Sequence, residues 1–206
     1  MSKKNLTEIA IVMDESGSMQ STALDAIGGF NSFIDAQKKI EGEANVTLVL
    51  FDNKYEVVYN GIPIEKITEL TSDVYSPGGG TALIDAIGKT VDSVSDRIGA
   101  MDEEEKPDKI IVIVITDGEE NSSRIYKGAD VSKKIKEHQE REGWEIIFIG
   151  ASADVLDQAE DLGIRSDRMM GYVADGAGTR GVYMGMSEAV SSYRATGSLS
   201  MPEESK

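Results

Sequence analysis

The chain has 206 residues, of which 40% are hydrophobic, and a formal net charge of −16. This length suits one well-buried α/β domain and is short for two, and the strong negative charge argues against binding to nucleic acid or anionic membranes, which need a basic surface. The chain contains no cysteine, which excludes disulfide bonds, thiolate catalysis and cysteine-ligated metals and fits the reducing cytoplasm.

The first third of the chain predicts one strand, one helix and a hairpin. Glu8 to Met13 is an apolar run typical of a buried strand, and the loop Asp14–Ser18 follows it. Apolar residues then recur at three- and four-residue steps, which predicts an amphipathic helix that ends near Gly42. Asn45 to Phe51 and Tyr55 to Tyr59 are separated by a polar turn, which predicts a hairpin whose second strand forms an antiparallel sheet edge.

The rest of the chain alternates predicted helices and strands. A glycine-rich loop, Pro77–Thr81, precedes a helix whose apolar positions run from Leu83 to Ile98, with Thr81 at the N-cap position. Lys109 to Thr116 is an unbroken β-branched run, which is typical of a central parallel strand buried on both faces. Further predicted elements are a helix at 129–142, a strand at 144–149, a short helix at 155–162, a strand at 168–173 and a helix at 182–193.

This alternation predicts a doubly wound α/β fold, with a mostly parallel central sheet, one antiparallel edge strand and helices on both faces. We expect a single domain over residues 1–196 and a disordered tail over 197–206, because the tail has no apolar pattern. The longest apolar run, Ile110 to Ile115, is far shorter than a membrane span, and the N-terminal segment has no signal-peptide core. The sequence therefore predicts a soluble cytoplasmic protein.

Three segments place oxygen-bearing side chains at the carboxyl edge of the predicted sheet, where ligands bind in such folds. They are Asp14, Ser16 and Ser18 after the first strand, Thr81 after the glycine-rich loop, and Asp117 after the central strand. Oxygen ligands suit hard cations such as Mg²⁺ or Mn²⁺ better than zinc. Taken alone, the Asp14–Ser18 loop is equally explained as an N-cap turn, Asp117-Gly118 is better explained as a turn, and Thr81 as a helix cap. The three together predict a metal site.

In this order, the segments resemble the metal-ion-dependent adhesion site (MIDAS) of von Willebrand factor A domains. The resemblance covers roughly Leu6 to Tyr193, and the stretches GGGTALIDAI and VIVITDGEEN are similar to those of intracellular bacterial and phage members. It implies a Rossmann-like fold and an intact site in which Ser16 and Ser18 bind the metal directly. It further implies that Thr81 binds directly or through water, and that Asp14 and Asp117 act mostly through bridging waters.

The resemblance implies a protein-binding module without enzymatic activity, in which Mg²⁺, or alternatively Mn²⁺ or Ca²⁺, bridges to an Asp or Glu of a partner. Neutral hydroxyls and outer carboxylates leave the ion short of close negative charge, which favours this reading. One alternative is an adaptor subunit beside an AAA+ ATPase, as in metal chelatases, since the chain has no Walker motif of its own. A weaker alternative is a metal-dependent phosphoryl hydrolase.

The sequence does not match the motifs of several common enzyme classes. The only histidine, His138, falls on a polar predicted helix, and no Gly-x-Ser-x-Gly motif is present. A haloacid dehalogenase-type phosphatase would need a second Asp where Ser16 stands.

Three acidic residues, Glu15, Glu119 and Glu120, are expected near the metal; they either form a solvated acidic loop or raise the affinity for cations.

Overall fold

The structure, a computed structural model, describes residues 5–201. Its strands are β1 (Thr7–Asp14), β2 (Ala44–Phe51), β3 (Tyr55–Pro63), β4 (Lys109–Thr116), β5 (Glu145–Gly150) and β6 (Met169–Gly171). Its helices are α1 (Ala23–Gln37), α2 (Leu83–Gly99), α3 (Gly128–Glu142), α4 (Ala153–Asp161) and α5 (Gly176–Thr196). Short 3-10 helices occupy Gly17–Thr22, Ile64–Lys66 and Ser166–Arg168.

The strands form one sheet in the order β3-β2-β1-β4-β5-β6. All neighbouring pairs are parallel except β2 and β3, which are antiparallel. The predicted doubly wound fold with one antiparallel edge strand is therefore confirmed. β1 and β4 are direct neighbours, with Met13 opposite Ile115, so the residues that follow these two strands start from the same edge of the sheet.

Helices cover both faces of the sheet. Successive side chains of each strand point to opposite sides, and in the central strands both sets are apolar and need to be buried. Ile9, Ile11 and Met13 of β1 belong to one core with residues of α1 and α5. Ala10 and Val12 belong to the other core, with residues of α2, α3 and α4. The central strands are apolar on both faces for this reason, and this apolar pattern identified β4 with its observed bounds.

Several predicted boundaries differ from the structure. β1 continues through Asp14, and β3 continues to Pro63, because each keeps its ladder pairing with β2 beyond the apolar run. α1 ends at Gln37, several residues before Gly42, and the buried guanidinium of Arg194 donates hydrogen bonds to the backbone carbonyl oxygens of Gln37 and Gly42.

The segment predicted as a tail begins outside α5 but is partly packed. Gly197 ends α5 in a left-handed conformation, and Leu199 is 6% exposed within the core on the α1 and α5 side. The packed part of the chain therefore extends at least to Leu199, and residues 202–206 lie outside the described residues. Between residues 5 and 201, none of the helices has both the length and the apolarity needed to cross a bilayer.

Candidate metal centre

Asp14 is the last residue of β1 and is fully buried. Its Oδ1 accepts a hydrogen bond from the Ser16 backbone N–H at 2.6 Å, and its Oδ2 accepts one from the Thr116 hydroxyl. Burial raises the pKa of Asp14 to about 6; these hydrogen bonds oppose the rise, and the nearby charge of Asp117 adds to it. The surroundings of Asp14 therefore disfavour its charged form, and a bound cation would stabilise that form.

Hydroxyl groups connect the end of β1 with the end of β4. The Ser16 and Ser18 Oγ atoms lie 3.0 Å apart, and Ser18 Oγ donates to Asp117 Oδ1 at 2.5 Å. Ser16 is buried, whereas Ser18 is exposed and Asp117 is half-buried. Partial burial raises the pKa of Asp117, and the Ser18 hydrogen bond opposes this rise. The predicted β1 loop and the predicted Asp117 are thus in direct contact.

The Thr81 hydroxyl lies beside Gly118, close to the hydroxyls of Ser16 and Ser18. A Cβ atom built on Gly118 would lie 2.9 Å from Thr81 Oγ1, 3.4 Å from Ser18 Oγ and 3.7 Å from Ser16 Oγ. All three hydroxyl oxygens therefore surround one small volume, which stays open because residue 118 has no side chain. A β-carbon at this position would fill the space in which the three hydroxyls could share a ligand.

The glycine-rich loop is fixed against β1 by backbone contacts. Gly78 N–H donates to the Glu15 carbonyl at 2.8 Å, and Gly17 N–H donates to the Gly79 carbonyl at 3.2 Å. Gly79 has a φ of +73°, and a side chain there would collide with Asp52. Gly79 is therefore required for this close approach of two loops, which brings Thr81 to the end of β1.

Thr81 has a different role from the predicted helix cap. Ala82 is the N-cap residue of α2, so the N-cap prediction is wrong. Instead, Thr81 N–H donates to Asn121 Oδ1 at 2.9 Å, and Asn121 N–H donates to the Thr81 carbonyl at 3.0 Å. This reciprocal pair leaves the Thr81 hydroxyl facing Gly118 and joins the Thr81 segment to the loop after β4.

The cap of α2 comes from Glu120. Its Oε2 accepts from the Ile84 backbone N–H at 2.8 Å, and its Oε1 accepts from the backbone N–H groups of Ser122 and Ser123 at 2.8 and 2.7 Å. A carboxylate is favourable here because it meets free N–H groups at the positive end of a helix. Of the acidic residues expected near the metal, Glu120 thus accepts hydrogen bonds that hold the loop after β4 against α2, whereas Glu119 is exposed.

Sequence reasoning missed three residues that organise the site: Thr116, Asn121, and Tyr75, whose buried hydroxyl donates to the Asp14 carbonyl at 2.7 Å. It placed Glu120 near the metal but missed its hydrogen bonds to α2 and the loop. Thr116 alone carried a signal, because it is the first polar residue at the end of the apolar β4 run and directly precedes Asp117. The others act through contacts between loops that are distant in sequence.

The donor set fits a hard divalent cation. Within residues 5–201, no group of three or more His, Cys, Asp or Glu side chains could hold a metal ion. A cation at this edge would therefore depend on the hydroxyls of Ser16, Ser18 and Thr81, with Asp14 and Asp117 beside them. Such oxygen-only surroundings match the ligand preferences of Mg²⁺ and similar ions.

The von Willebrand factor type A domain profile matches residues 8–182, which is most of the chain. The chain belongs to the von Willebrand factor type A domain family. No curated protein matches the sequence. Because the match includes β1, the glycine-rich loop and β4, every segment of the candidate site lies inside the family region.

Solved structures show the same fold at low identity. Proximal thread matrix protein 1 from the mussel byssus, with a zinc-occupied MIDAS motif, has a TM-score of 0.62 and 17% identity over 90% of this chain and 46% of its own. An ArnB paralogue, VWA2, from Sulfolobus acidocaldarius has a TM-score of 0.58 and 19% identity, with 88% and 44% coverage. Manganese-loaded TRAP protein from Plasmodium vivax has a TM-score of 0.59 and 19% identity, with 87% and 72% coverage.

The chain spans about half the length of the mussel and Sulfolobus proteins. At these identities the similarity shows the fold alone.

Proposed function

We propose that this von Willebrand factor type A domain binds a protein partner through a divalent cation, Mg²⁺ in the cell. The observation that carries the proposal is the convergence of the Ser16, Ser18 and Thr81 hydroxyls around Gly118. The Asp117 carboxylate accepts a hydrogen bond from the Ser18 hydroxyl at the same place. Asp14, Ser16, Ser18, Thr81 and Asp117 would hold the ion. Bound there, the cation would supply an electrophilic centre to which an anionic ligand can attach.

Two related structures support a divalent cation, since the mussel protein has zinc in its MIDAS motif and the Plasmodium protein is manganese-loaded. We favour Mg²⁺ because this site offers only oxygen atoms, which are poor ligands for zinc compared with His nitrogen or Cys sulfur. A titration with several metals tests this choice.

The chemistry of the ligands favours an acidic partner. Hydroxyl groups carry no charge, so they leave the positive charge of an ion largely available to another ligand. The Asp117 carboxylate can reduce this charge, but one of its oxygens already accepts a hydrogen bond from the Ser18 hydroxyl. An Asp or Glu side chain of another protein is therefore the ligand that best completes the coordination, and an ATPase that uses this domain as an adaptor would be one source of it.

The position of His138 supports a binding role over catalysis. Its ring stacks on Trp144 with the centroids 4.2 Å apart. His138 lies in the last turns of α3, and Trp144 directly precedes β5, so this pair lies at the amino edge of the sheet, opposite the candidate site. The imidazole is too remote to act as a base for a nucleophile there.

Thermal unfolding tests the metal site. Millimolar Mg²⁺ should raise the melting temperature above that in EDTA, since a ligand that binds only the folded state stabilises it by mass action. Ser18→Ala should remove most of this shift. Asp96→Asn, a change of an exposed residue in the C-terminal part of α2, is the matched control and should keep it. Equal melting temperatures of the unmodified protein in Mg²⁺ and EDTA would overturn the proposal.

A second experiment tests the partner chemistry. A random peptide library displayed on phage is selected on the immobilised protein in Mg²⁺, and bound phage are eluted with EDTA. We expect enriched peptides to share an Asp or Glu whose replacement by Asn or Gln abolishes binding, and to lose binding to the Ser18→Ala protein. Enrichment of peptides without an essential acidic residue would contradict the bridging role of a carboxylate.

A further inference from the structure

A second concave feature lies between α2, α3 and α4. Its apolar floor is formed by Leu83 and Ile84 at the start of α2, Gly128 and Ala129 at the start of α3, and Leu162 after α4. We refer to these five residues as the lateral groove. Its volume is about 530 Å³, which is enough for one or two large apolar side chains.

Side chains of α2 and of the segment after α4 meet beside Gly128 in the lateral groove. A Cβ built on Gly128 would lie 3.8 Å from both Ile84 Cδ1 and Leu162 Cδ2, so side chains from two other elements surround this point. One wall is fixed by a hydrogen bond of 3.0 Å from the Glu120 backbone N–H to Gln158 Oε1. The groove is therefore already formed in the absence of a ligand, which lowers the cost of binding.

An exposed isoleucine precedes the lateral-groove residue Gly128 closely in the chain. Ile125 lies in the loop that leads into α3 and is 77% exposed. Its backbone N–H donates to Asp85 Oδ1 at 2.9 Å, and the N–H groups of Arg124 and Tyr126 also donate to the Asp85 carboxylate. A large apolar side chain on a backbone fixed in this way is preorganised for contact with a partner.

The edge of the lateral groove is acidic. Asp161 and Glu120 line it, and α4 carries four exposed or rim carboxylates, those of Asp154, Asp157, Glu160 and Asp161, with no basic residue between 153 and 161. Lys133 and Lys136 of α3 line a neighbouring groove that shares Ala129 and Asp161 with the lateral groove, and Lys127, directly before Gly128, is exposed. An occupant of the lateral groove would therefore meet apolar surface below and negative charge at one edge.

We propose that the lateral groove binds a segment of a partner protein in which an apolar side chain lies next to a lysine or arginine. The apolar side chain would enter between Ile84, Ala129 and Leu162, and the cationic group would approach Asp161. Charge complementarity decides the partner class, because an acidic segment would be repelled by α4. This site uses none of the candidate metal-binding side chains and is expected to work without a metal.

The probe is a short synthetic peptide of leucine and lysine in an amphipathic helical pattern. Its binding to the isotope-labelled protein is followed by amide chemical shifts, in EDTA and again in Mg²⁺. We expect shifts centred on Gly128, Ala129 and Leu162, with similar affinity in both buffers. Peptides with serine in place of leucine, or glutamate in place of lysine, should bind at least about tenfold more weakly.

Two variants test the location. Ala129→Arg places a bulky cation in the lateral groove and should weaken binding by about tenfold or more. Asp161→Asn keeps the shape of the edge and should weaken binding by about threefold at low salt. Ala195→Arg, the same change at an exposed position of α5, is the matched control and should leave binding unchanged. Amide spectra of each variant report whether it is folded.

Three results would overturn the proposal: no binding to the unmodified protein, shifts spread over the acidic surface away from the lateral groove, or equal weakening by Ala129→Arg and Ala195→Arg. Because the peptide test is made in EDTA, its failure leaves the metal-dependent function untouched. Conversely, loss of the thermal shift in Mg²⁺ says nothing against the lateral groove.

Discussion

Asp14 and Asp117 lie at the ends of neighbouring strands, and they differ in burial and in hydrogen bonding. Asp14 is inside β1 and fully buried, and both of its oxygens accept hydrogen bonds from fixed groups, the Ser16 N–H and the Thr116 hydroxyl. Asp117 lies one residue beyond β4, is half-buried, and accepts from the exposed Ser18 hydroxyl. Asp14, at the last position of its strand, is therefore held by two hydrogen bonds from buried groups. Asp117, one residue beyond the neighbouring strand, is held by the exposed Ser18 hydroxyl.

This difference suggests a division of roles. The position of Asp14 is set by the sheet, so it can supply a charge in a constant place behind the hydroxyls. Asp117 is held through Ser18, so its position can change together with that hydroxyl when a ligand arrives. The following predictions test this division, beginning with the largest expected effect.

Asp14→Asn should abolish the stabilisation by Mg²⁺ and leave the fold intact. The new amide keeps an acceptor for the Ser16 N–H, and the Thr116 hydroxyl can accept from the amide while it donates to the Gly118 carbonyl, which is 3.1 Å away. The change also removes a buried charge, so the metal-free protein should be at least as stable as the unmodified one. Urea unfolding in EDTA and in Mg²⁺ measures both effects. A metal-free variant destabilised by several kcal/mol would contradict this view of Asp14.

The pH dependence of metal-free stability should reveal the same buried charge. The pKa of Asp14 is raised from 3.8 to about 6 in the folded state, so its contribution to stability is fully present below pH 3.8 and is lost as the pH rises through about 6. Relative to Asp14→Asn, the unmodified protein should lose roughly 2 to 3 kcal/mol of unfolding free energy between pH 4 and pH 7 in EDTA. A difference between the two proteins that does not change with pH would refute this.

Asp117→Asn should weaken Mg²⁺ binding by about a hundredfold, which is less than the complete loss expected for Asp14→Asn. The amide can still accept the Ser18 hydrogen bond, so the metal-free stability should change by less than about 0.5 kcal/mol. Calorimetric titration with Mg²⁺ gives the affinity, and Asp96→Asn again serves as the control. If Asp117→Asn proves more harmful than Asp14→Asn, the proposed roles of the two carboxylates are reversed.

Thr116→Val should lower the affinity for Mg²⁺ by about tenfold, because its hydroxyl orients Asp14 without being a predicted ligand. Valine has nearly the same shape, so the variant removes the hydrogen bond and leaves the packing of β4 in place. Thr116→Ser should restore most of the affinity. Affinities measured by titration should therefore follow the order threonine, serine, valine. Equal affinities of the serine and valine variants would exclude the hydroxyl as the positioning group.

The fold and much of the site arrangement could be predicted from the sequence, for identifiable reasons. The β-branched run from Lys109 to Thr116 specifies a buried strand without help from the rest of the chain, and its predicted bounds match β4. The meeting of Asp14, Thr81 and Asp117 at one edge follows from strand order. The cap of α2 could not be predicted, because the Ile84 N–H and the Glu120 carboxylate that accepts from it are 36 residues apart in the sequence.

Glu120 and Glu119 allow a final comparison between adjacent residues of one loop. Glu120→Gln keeps the size of the side chain. However, it places an amide NH₂ group, which is a donor, beside backbone N–H donors of α2 and the loop that now donate to the carboxylate. We expect a loss of about 1 kcal/mol of unfolding free energy and a few-fold weaker affinity for Mg²⁺, because the loop that carries Asp117 becomes less fixed.

Glu119→Gln is the matched control. Glu119 is exposed, so its replacement should change stability by no more than about 0.5 kcal/mol. The two variants remove the same charge from the same loop, and unfolding by urea compares them directly. If both lower the affinity for Mg²⁺ equally and neither changes stability, the acidic residues act on the cation through their charge alone. Unequal effects would show that the hydrogen bonds of Glu120 hold the Asp117 side of the site in place.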